Sequence, residues 1–267
     1  MDFVLGYLEI AVTEACNLNC RACSHFSPLA NSDDRVSLAS FKRDAYRIHE
    51  LFPVIYTIRL LGGEPLLHED VFSMASYIRS LYPRTSVRIA TNGLLIPSLS
   101  QDALSLMREN QIGFDISLYE PTAKMRDCIE GACRDQGVSF TFTEPIERFR
   151  VRFDPTGQND GSRSYRKCVV GSRCTYLYNG MLSGCPAPNV VHLFNRAYGT
   201  DITGEADLID IHHTELTAEE IYAKISSELC LCRYCTDIEE VNWRLTHGDA
   251  SMEDWIAQKR NLGTACF

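Results

Sequence analysis

The chain of 267 residues has no apolar run approaching the ~20 residues that span a bilayer. Its first residues carry neither a basic stretch nor a long apolar core of the kind that directs secretion. The expectation is a cytoplasmic protein that does not engage a membrane. It also lacks any basic run interleaved with aromatics: 26 Lys and Arg stand against 35 Asp and Glu, for a formal charge of -9. Nucleic acid is thereby excluded as a partner, and a small molecule is favoured. Tryptophan is scarce, with 2 residues, and no internal repeat or low-complexity segment occurs. Cysteine, by contrast, is plentiful at 12 residues. In a cytoplasmic chain, clustered cysteines read as metal ligands rather than as disulfides.

Three of them form a CxxxCxxC run, Cys16, Cys20 and Cys23, directly after the alternating residues 7–12. Three thiolates hold three irons of a 4Fe-4S cluster, and the fourth iron is left for a small molecule that chelates through an amine and a carboxylate. The competing reading is a zinc site or three buried thiols. Structural zinc wants four closed ligands, and only His25 stands near enough in sequence to complete the set. At the end of the next predicted strand comes Gly62-Gly63-Glu64-Pro65. Glycines there let backbone approach a ligand, and a carboxylate accepts from an ammonium group.

Strand, CxxxCxxC and Gly62-Gly63-Glu64-Pro65 together resemble the radical SAM superfamily. The resemblance implies S-adenosylmethionine on the open iron, cleaved reductively to methionine and a 5'-deoxyadenosyl radical that abstracts hydrogen from a substrate. It further implies an external electron donor such as flavodoxin or ferredoxin. By the same resemblance the backbone of Gly62, Gly63, Glu64 and Pro65 meets the methionyl amino group, while Thr91, Asn92, Asp115 and Ser117 lie near the ribose and carboxylate. One position departs from the pattern. Ala22 stands where the family places an aromatic residue beside the adenine, and His25 or Phe26 is expected to fill that space.

Residues 7–143 alternate short apolar runs with helical periodicity, the sign of repeated βα units on a parallel sheet. Strands are predicted over 7–12, 54–61, 86–90, 112–119 and 138–143, with a sixth over 149–153. Helices are predicted over 38–52 and 71–82, from Ser98 and Gln101 as a capping pair, and over 122–136. The fold class is α/β, and the resemblance implies a partial (β/α)6 barrel. Residues 154–162 are rich in turn formers, so a boundary is expected there: 1–153 as the barrel, 154–267 as a small α+β unit.

Cysteines return at 168, 174, 185, 230, 232 and 235. Asn179-Gly180 predicts a hairpin turn between Cys174 and Cys185, and a helix over 218–229, capped by Thr217 and Glu220, leads to the last three. Cys168, Cys185, Cys232 and Cys235 form a candidate fully ligated 4Fe-4S site, with a four-cysteine zinc site as the alternative. The arrangement resembles the Twitch domain, a half-length relative of the SPASM domain that carries one auxiliary cluster. Cys128, Cys133 and Cys266 read as structural.

The expected activity is therefore radical oxidation (dehydrogenation) or epimerisation of a carbinol carbon in a sugar or aminocyclitol. Arg150 and Arg152 are candidates against the substrate hydroxyl, and the spare thiols Cys174 and Cys230 are candidate hydrogen donors. The segment from His192 to Gly199 offers donors and aromatic surface for a sugar. Modification of a peptide or protein side chain, and a non-enzymatic iron-sulfur or zinc module, are the alternatives.

Overall fold

The computed structural model describes residues 3–168, 174–246 and 250–257, so Cys266 lies outside it. The expected βα series is present: β1 (Val4–Thr13), α1 (Leu38–Leu51), β2 (Val54–Gly62), α2 (Val71–Leu81), β3 (Ser86–Thr91), α3 (Gln101–Glu109) and β4 (Gly113–Ile116). It continues through α4 (Glu120–Lys124), α5 (Arg126–Asp135) and β5 (Phe140–Phe142). These five strands are parallel, in the order β5-β4-β3-β2-β1, and form a partial barrel. One face is apolar: Leu8, Ile10, Ile58, Leu60, Ile89 and Phe114 pack against the helices in a single core. The other face carries Tyr7, Glu9, Arg59, Arg88 and Asp115, as strand alternation requires.

Local chemistry sets most helix ends. Ser37 caps α1 by accepting from Ser40 N at 3.2 Å, Phe41, Ala45 and Ile48 form its buried stripe, and Pro53 lies just beyond its end. The cap of α3 falls on Ser100, which accepts from Ala103 N at 3.2 Å, and not on Ser98. Ser98 closes a 3-10 turn (Ile96–Ser98) begun around Pro97. The single helix expected over 122–136 is two, divided at Met125. Cys128, expected in the core, is exposed on α5; Cys133 is buried there.

Beyond β5 the expectations change. The sixth strand exists as β6 (Arg148–Phe153), yet it leaves the parallel sheet. A strand buried in a parallel sheet is apolar on both faces, and Arg148-Phe149-Arg150-Val151-Arg152 alternates. It pairs instead, antiparallel, with β10 (Cys235–Asn242). Between them lie α6 (Gly161–Lys167), β7 (Tyr176–Tyr178), β8 (Met181–Ser183), α7 (Ala187–Tyr198), β9 (Ile209–Asp210) and α8 (Ala218–Ile225).

The β7–β8 hairpin turns at Asn179 (φ 47°) and Gly180 (φ 78°), the positive values a two-residue turn of this hand requires. Its first strand runs parallel to β1, with Glu9 opposite Tyr176 and Ile10 opposite Leu177. The hairpin thus extends the barrel sheet. Leu177, Leu182, Ile209, Ile221 and Ile225 share the core of the βα units, so that core runs across the boundary expected at 153/154, while Val190, Leu193, Phe194, Leu231 and Trp255 form a second cluster with Phe26. The complete Thr217–Glu220 capping box starts α8, which ends at Ile225, short of the expected 229. No helix among the described residues is long and apolar enough to cross a membrane.

Candidate active site

The cysteine loop leaves β1 at Thr13 and is fastened to the end of β2 through backbone. Gly63 N donates to Thr13 O and Glu64 N to Ala15 O, each at 2.8 Å. A Cβ on Gly62, whose φ is +144°, would stand 1.7 Å from Thr13 O, and one on Gly63 would stand 2.3 Å from Ala15 O. Both glycines are required for this strand-to-loop approach. The Glu64 side chain is fully buried and engaged by its own chain. Its Oε1 accepts from Thr91 Oγ1 (2.7 Å) and Leu66 N (3.0 Å), and its Oε2 from Asn92 N (2.8 Å). The carboxylate expected near a ligand ammonium is instead a brace between the ends of β2 and β3. Burial raises its carboxyl to about 7, against the three donors that favour the charged form. Pro65 is buried in the 3-10 turn that follows.

Above these strand ends lies a cavity of about 820 Å³, within the size range of small-ligand sites. Cys16, Cys20, Cys23 and His25 border it on one side, Gly62 and Gly63 on the second. Thr91, Asn92 and Ser117 border it from β3 and the residue after β4. Its far wall comes from β6 and the connection before it, including Glu144, Glu147, Arg150 and Arg152. Asp115 does not border it. That carboxylate lies on the polar face of the sheet, 2.6 Å from Arg59 Nε and 2.8 Å from Arg88 Nε, and accepts from Thr141 Oγ1 at 2.9 Å. Burial alone would raise its carboxyl; Arg88 and Arg59 hold it below the ordinary value. It is a strut between strands.

Burial pushes the thiols of Cys16 and Cys20 to about 12 and raises that of Cys23. Such groups stay protonated at neutral pH until a metal displaces the proton. Phe26, offered as a filler beside an adenine, packs instead with Phe153, Phe194 and Trp255 at centroid distances of 5.5, 5.3 and 5.9 Å. The segment from His192 to Gly199 is likewise mostly structural: it forms the end of α7, Phe194 is buried, and Arg196 pairs with Asp34 at 2.6 Å.

Cys168, Cys185, Cys232 and Cys235 all border a second cavity of about 170 Å³. They arrive from the end of α6, the exit of β8, a 3-10 turn (Cys230–Tyr234) and the start of β10. Arg152 Nη1 donates to Cys168 Sγ at 2.8 Å. Arg150, Arg152, Ala22 and Ser24 border both cavities. The spare thiols do neither. Cys174 lies on a separate cavity of about 560 Å³ with Tyr7, Glu9 and Arg59, and Cys230 is exposed, its amide held by Asp207 Oδ1 at 2.6 Å. Among the described residues, no three His, Cys, Asp or Glu side chains converge on a single-ion site. Four thiols bordering one cavity are a donor set that fits a 4Fe-4S cluster, and the same soft ligands would suit zinc.

Two groups escaped the sequence reading. Beneath the loop, Tyr176 OH donates to Glu14 Oε1 at 2.7 Å, and His25 Nδ1 lies 3.4 Å from Glu14 Oε2. Burial would depress the imidazole, but Glu14 more than offsets it, so His25 titrates above its ordinary value. Over the loop, Trp243 Nε1 donates to Cys20 Sγ at 3.3 Å, and its ring stacks on Tyr119 at 5.3 Å and 24°. Both assemblies join residues more than a hundred positions apart, for which no local pattern exists.

Residues 10–137 match the Radical SAM superfamily. GTP 3',8-cyclase of Syntrophomonas wolfei is 30% identical over 118 residues, 44% of this chain and 36% of that protein. Molybdenum cofactor biosynthesis protein 1 of Bos taurus is 34% identical over 108 residues, 38% of this chain and 16% of that one. The chain spans about a third or less of the length of these curated relatives. The crystal structure of BtrN in complex with AdoMet and 2-DOIA aligns over 89% of this chain and 95% of that one, with a TM-score of 0.52. At 18% identity the likeness is one of fold.

Proposed function

We propose that this chain, which carries a radical SAM domain over residues 10–137, oxidises a carbinol carbon of a small sugar- or aminocyclitol-type substrate. Cys16, Cys20 and Cys23 would hold the first 4Fe-4S cluster, with S-adenosylmethionine in the larger cavity against Gly62, Gly63, Thr91, Asn92 and Ser117. Cys168, Cys185, Cys232 and Cys235 would hold a second. When bound, these groups supply hydrogen-atom abstraction from the substrate and a one-electron sink. The observation that carries the proposal is the shared wall: Arg150 and Arg152 border both cysteine-lined cavities, so a substrate in the larger one lies beside the second cysteine set.

A guanidinium stays protonated, so neither arginine takes the hydroxyl proton. Arg150 donates to the carbinol oxygen and stabilises negative charge as it develops there. Arg152, whose Nη1 is at Cys168 Sγ, holds the wall in register with the second set. Glu144 and Glu147 border the same cavity; one accepts the hydroxyl proton, and their charge suits the ammonium of an aminocyclitol. Ile146 and Phe149 in the wall limit water. Epimerisation needs a thiol facing the substrate, and neither Cys174 nor Cys230 borders that cavity, which favours dehydrogenation.

The test is anaerobic incubation of the iron-reconstituted protein with S-adenosylmethionine, dithionite and a panel of sugars and aminocyclitols in deuterium oxide. A product two mass units lighter than its substrate, formed with 5'-deoxyadenosine, is expected. An isomer carrying one non-exchangeable deuterium would replace oxidation by epimerisation. Absence of 5'-deoxyadenosine under all conditions would refute the enzyme reading.

A further inference from the structure

We infer that Trp243 sets the reduction potential of the cluster at Cys16, Cys20 and Cys23, through the hydrogen bond its indole donates to the Cys20 sulfur. The inference rests on the reading of Cys20 as a cluster ligand. It is carried by how rigidly a distant segment delivers this one donor. After β10 the chain crosses the cysteine loop and pairs with it: Arg21 N donates to Arg244 O at 3.0 Å, Thr246 N donates to Asn19 O at 2.7 Å, and Cys20 lies opposite Leu245 in an antiparallel bridge. Trp243 N donates to Glu147 O at 2.8 Å, which ties the same residue to the wall of the larger cavity. Its ring is stacked on Tyr119, and the side chain therefore has little freedom to leave the sulfur.

The direction of the effect follows from charge. An indole N–H is a donor only, so the sulfur must be the acceptor, and the bond strengthens as the sulfur becomes more negative. A low-potential donor adds one electron to the cluster, and part of the added charge resides on the ligand sulfurs. A fixed N–H at one of them stabilises the reduced form and raises the potential. The second indole provides the internal contrast. Trp255 Nε1 donates at 2.9 Å to the backbone oxygen of Cys23, and its neighbour Asp254 pairs with Arg21 at 3.1 Å. It braces the same loop without reaching a sulfur.

The experiment compares the reconstituted full chain with Trp243→Phe, with Trp255→Phe, and with a variant carrying 3-benzothienylalanine at 243, which keeps the ring stack and removes the N–H. Iron content and the EPR signal that responds to S-adenosylmethionine are followed during a dithionite redox titration. Both changes at 243 are expected to make the midpoint more negative. The reduced-to-oxidised ratio at the wild-type midpoint should fall about tenfold, or ~59 mV for one electron. Trp255→Phe should leave it in place. A wild-type midpoint in the benzothienyl variant with the cluster intact, or an equal shift in Trp255→Phe, overturns the inference. If Trp243→Phe does not load iron, the benzothienyl variant decides alone. A Cys20→Ala protein with the full responsive signal would refute the ligand reading itself.

Discussion

Cys16, Cys20 and Cys23 come from eight consecutive residues on one loop, whereas Cys168, Cys185, Cys232 and Cys235 reach a common cavity from a helix end, a hairpin exit, a 3-10 turn and a strand start. The first set rests on the junction of β1 and β2, secured by two glycines and a buried carboxylate, and is then covered by residues 243–246. The second requires β6 to leave the parallel sheet and pair with β10, and the β7–β8 hairpin to join β1. A loop set can be lost one ligand at a time. A set built by tertiary contacts is expected to respond to changes in the frame around it as well as in its thiols.

The largest effect is expected at the loop. Cys20→Ala should reduce 5'-deoxyadenosine formation to background, while the protein retains about four of about eight irons per chain. Formation at the normal rate would end the assignment. Cys235→Ala should show the converse: iron again falls to about four, substrate oxidation is lost, and uncoupled cleavage of S-adenosylmethionine persists. One equivalent of zinc in the wild-type protein, measured by metal analysis, would break the comparison by making the second set a structural zinc site.

A smaller change is expected beneath the loop. Glu64 titrates in the fold at about 7 against an ordinary 4.5. Between those values the folded state binds more protons than the unfolded state, so stability falls as pH rises through this window. Glu64→Gln should flatten that slope in urea unfolding at pH 5 and pH 7.5, and lower stability by about 1–3 kcal/mol through the buried donor left without its acceptor. An unchanged slope would mean that Glu64 is ionised throughout. The smallest effect concerns the second frame. Gly180→Ala, at φ 78°, should cost about 1 kcal/mol in thermal unfolding, with iron content retained; a neutral result would place no strain at the hairpin turn.

The legible part of the molecule is the part with local causes. α1, α2 and the Asn179-Gly180 turn could be read because a cap, a proline or a positive-φ pair lies within a few residues of the event it controls. The three loop cysteines could be read because their spacing is contiguous. Asp115 is expected near a ligand from the family resemblance; what neither the resemblance nor strand alternation gives is Arg59 and Arg88, two residues on neighbouring strands that occupy the carboxylate first. Likewise Glu64 sits beside the loop as its position implies, yet Thr91 and Asn92 absorb its oxygens. The departure of β6 was visible only in hindsight from its alternating arginines. Trp243 carries no local signal at all, because its partner lies on a segment made 223 residues earlier.

That last separation has a consequence for how the protein is made. Ribosomes add roughly 5–20 residues each second, so Cys20 emerges about 10–45 s before Trp243. Throughout that interval the cysteine loop lacks both the segment that crosses it and the indole at its sulfur. Metal delivered before residues 243–246 are made would meet an open loop; metal delivered after release would meet a covered one. Pairing of residues 19–21 with 244–246 therefore narrows access to Cys20 only once the last part of the chain has been made.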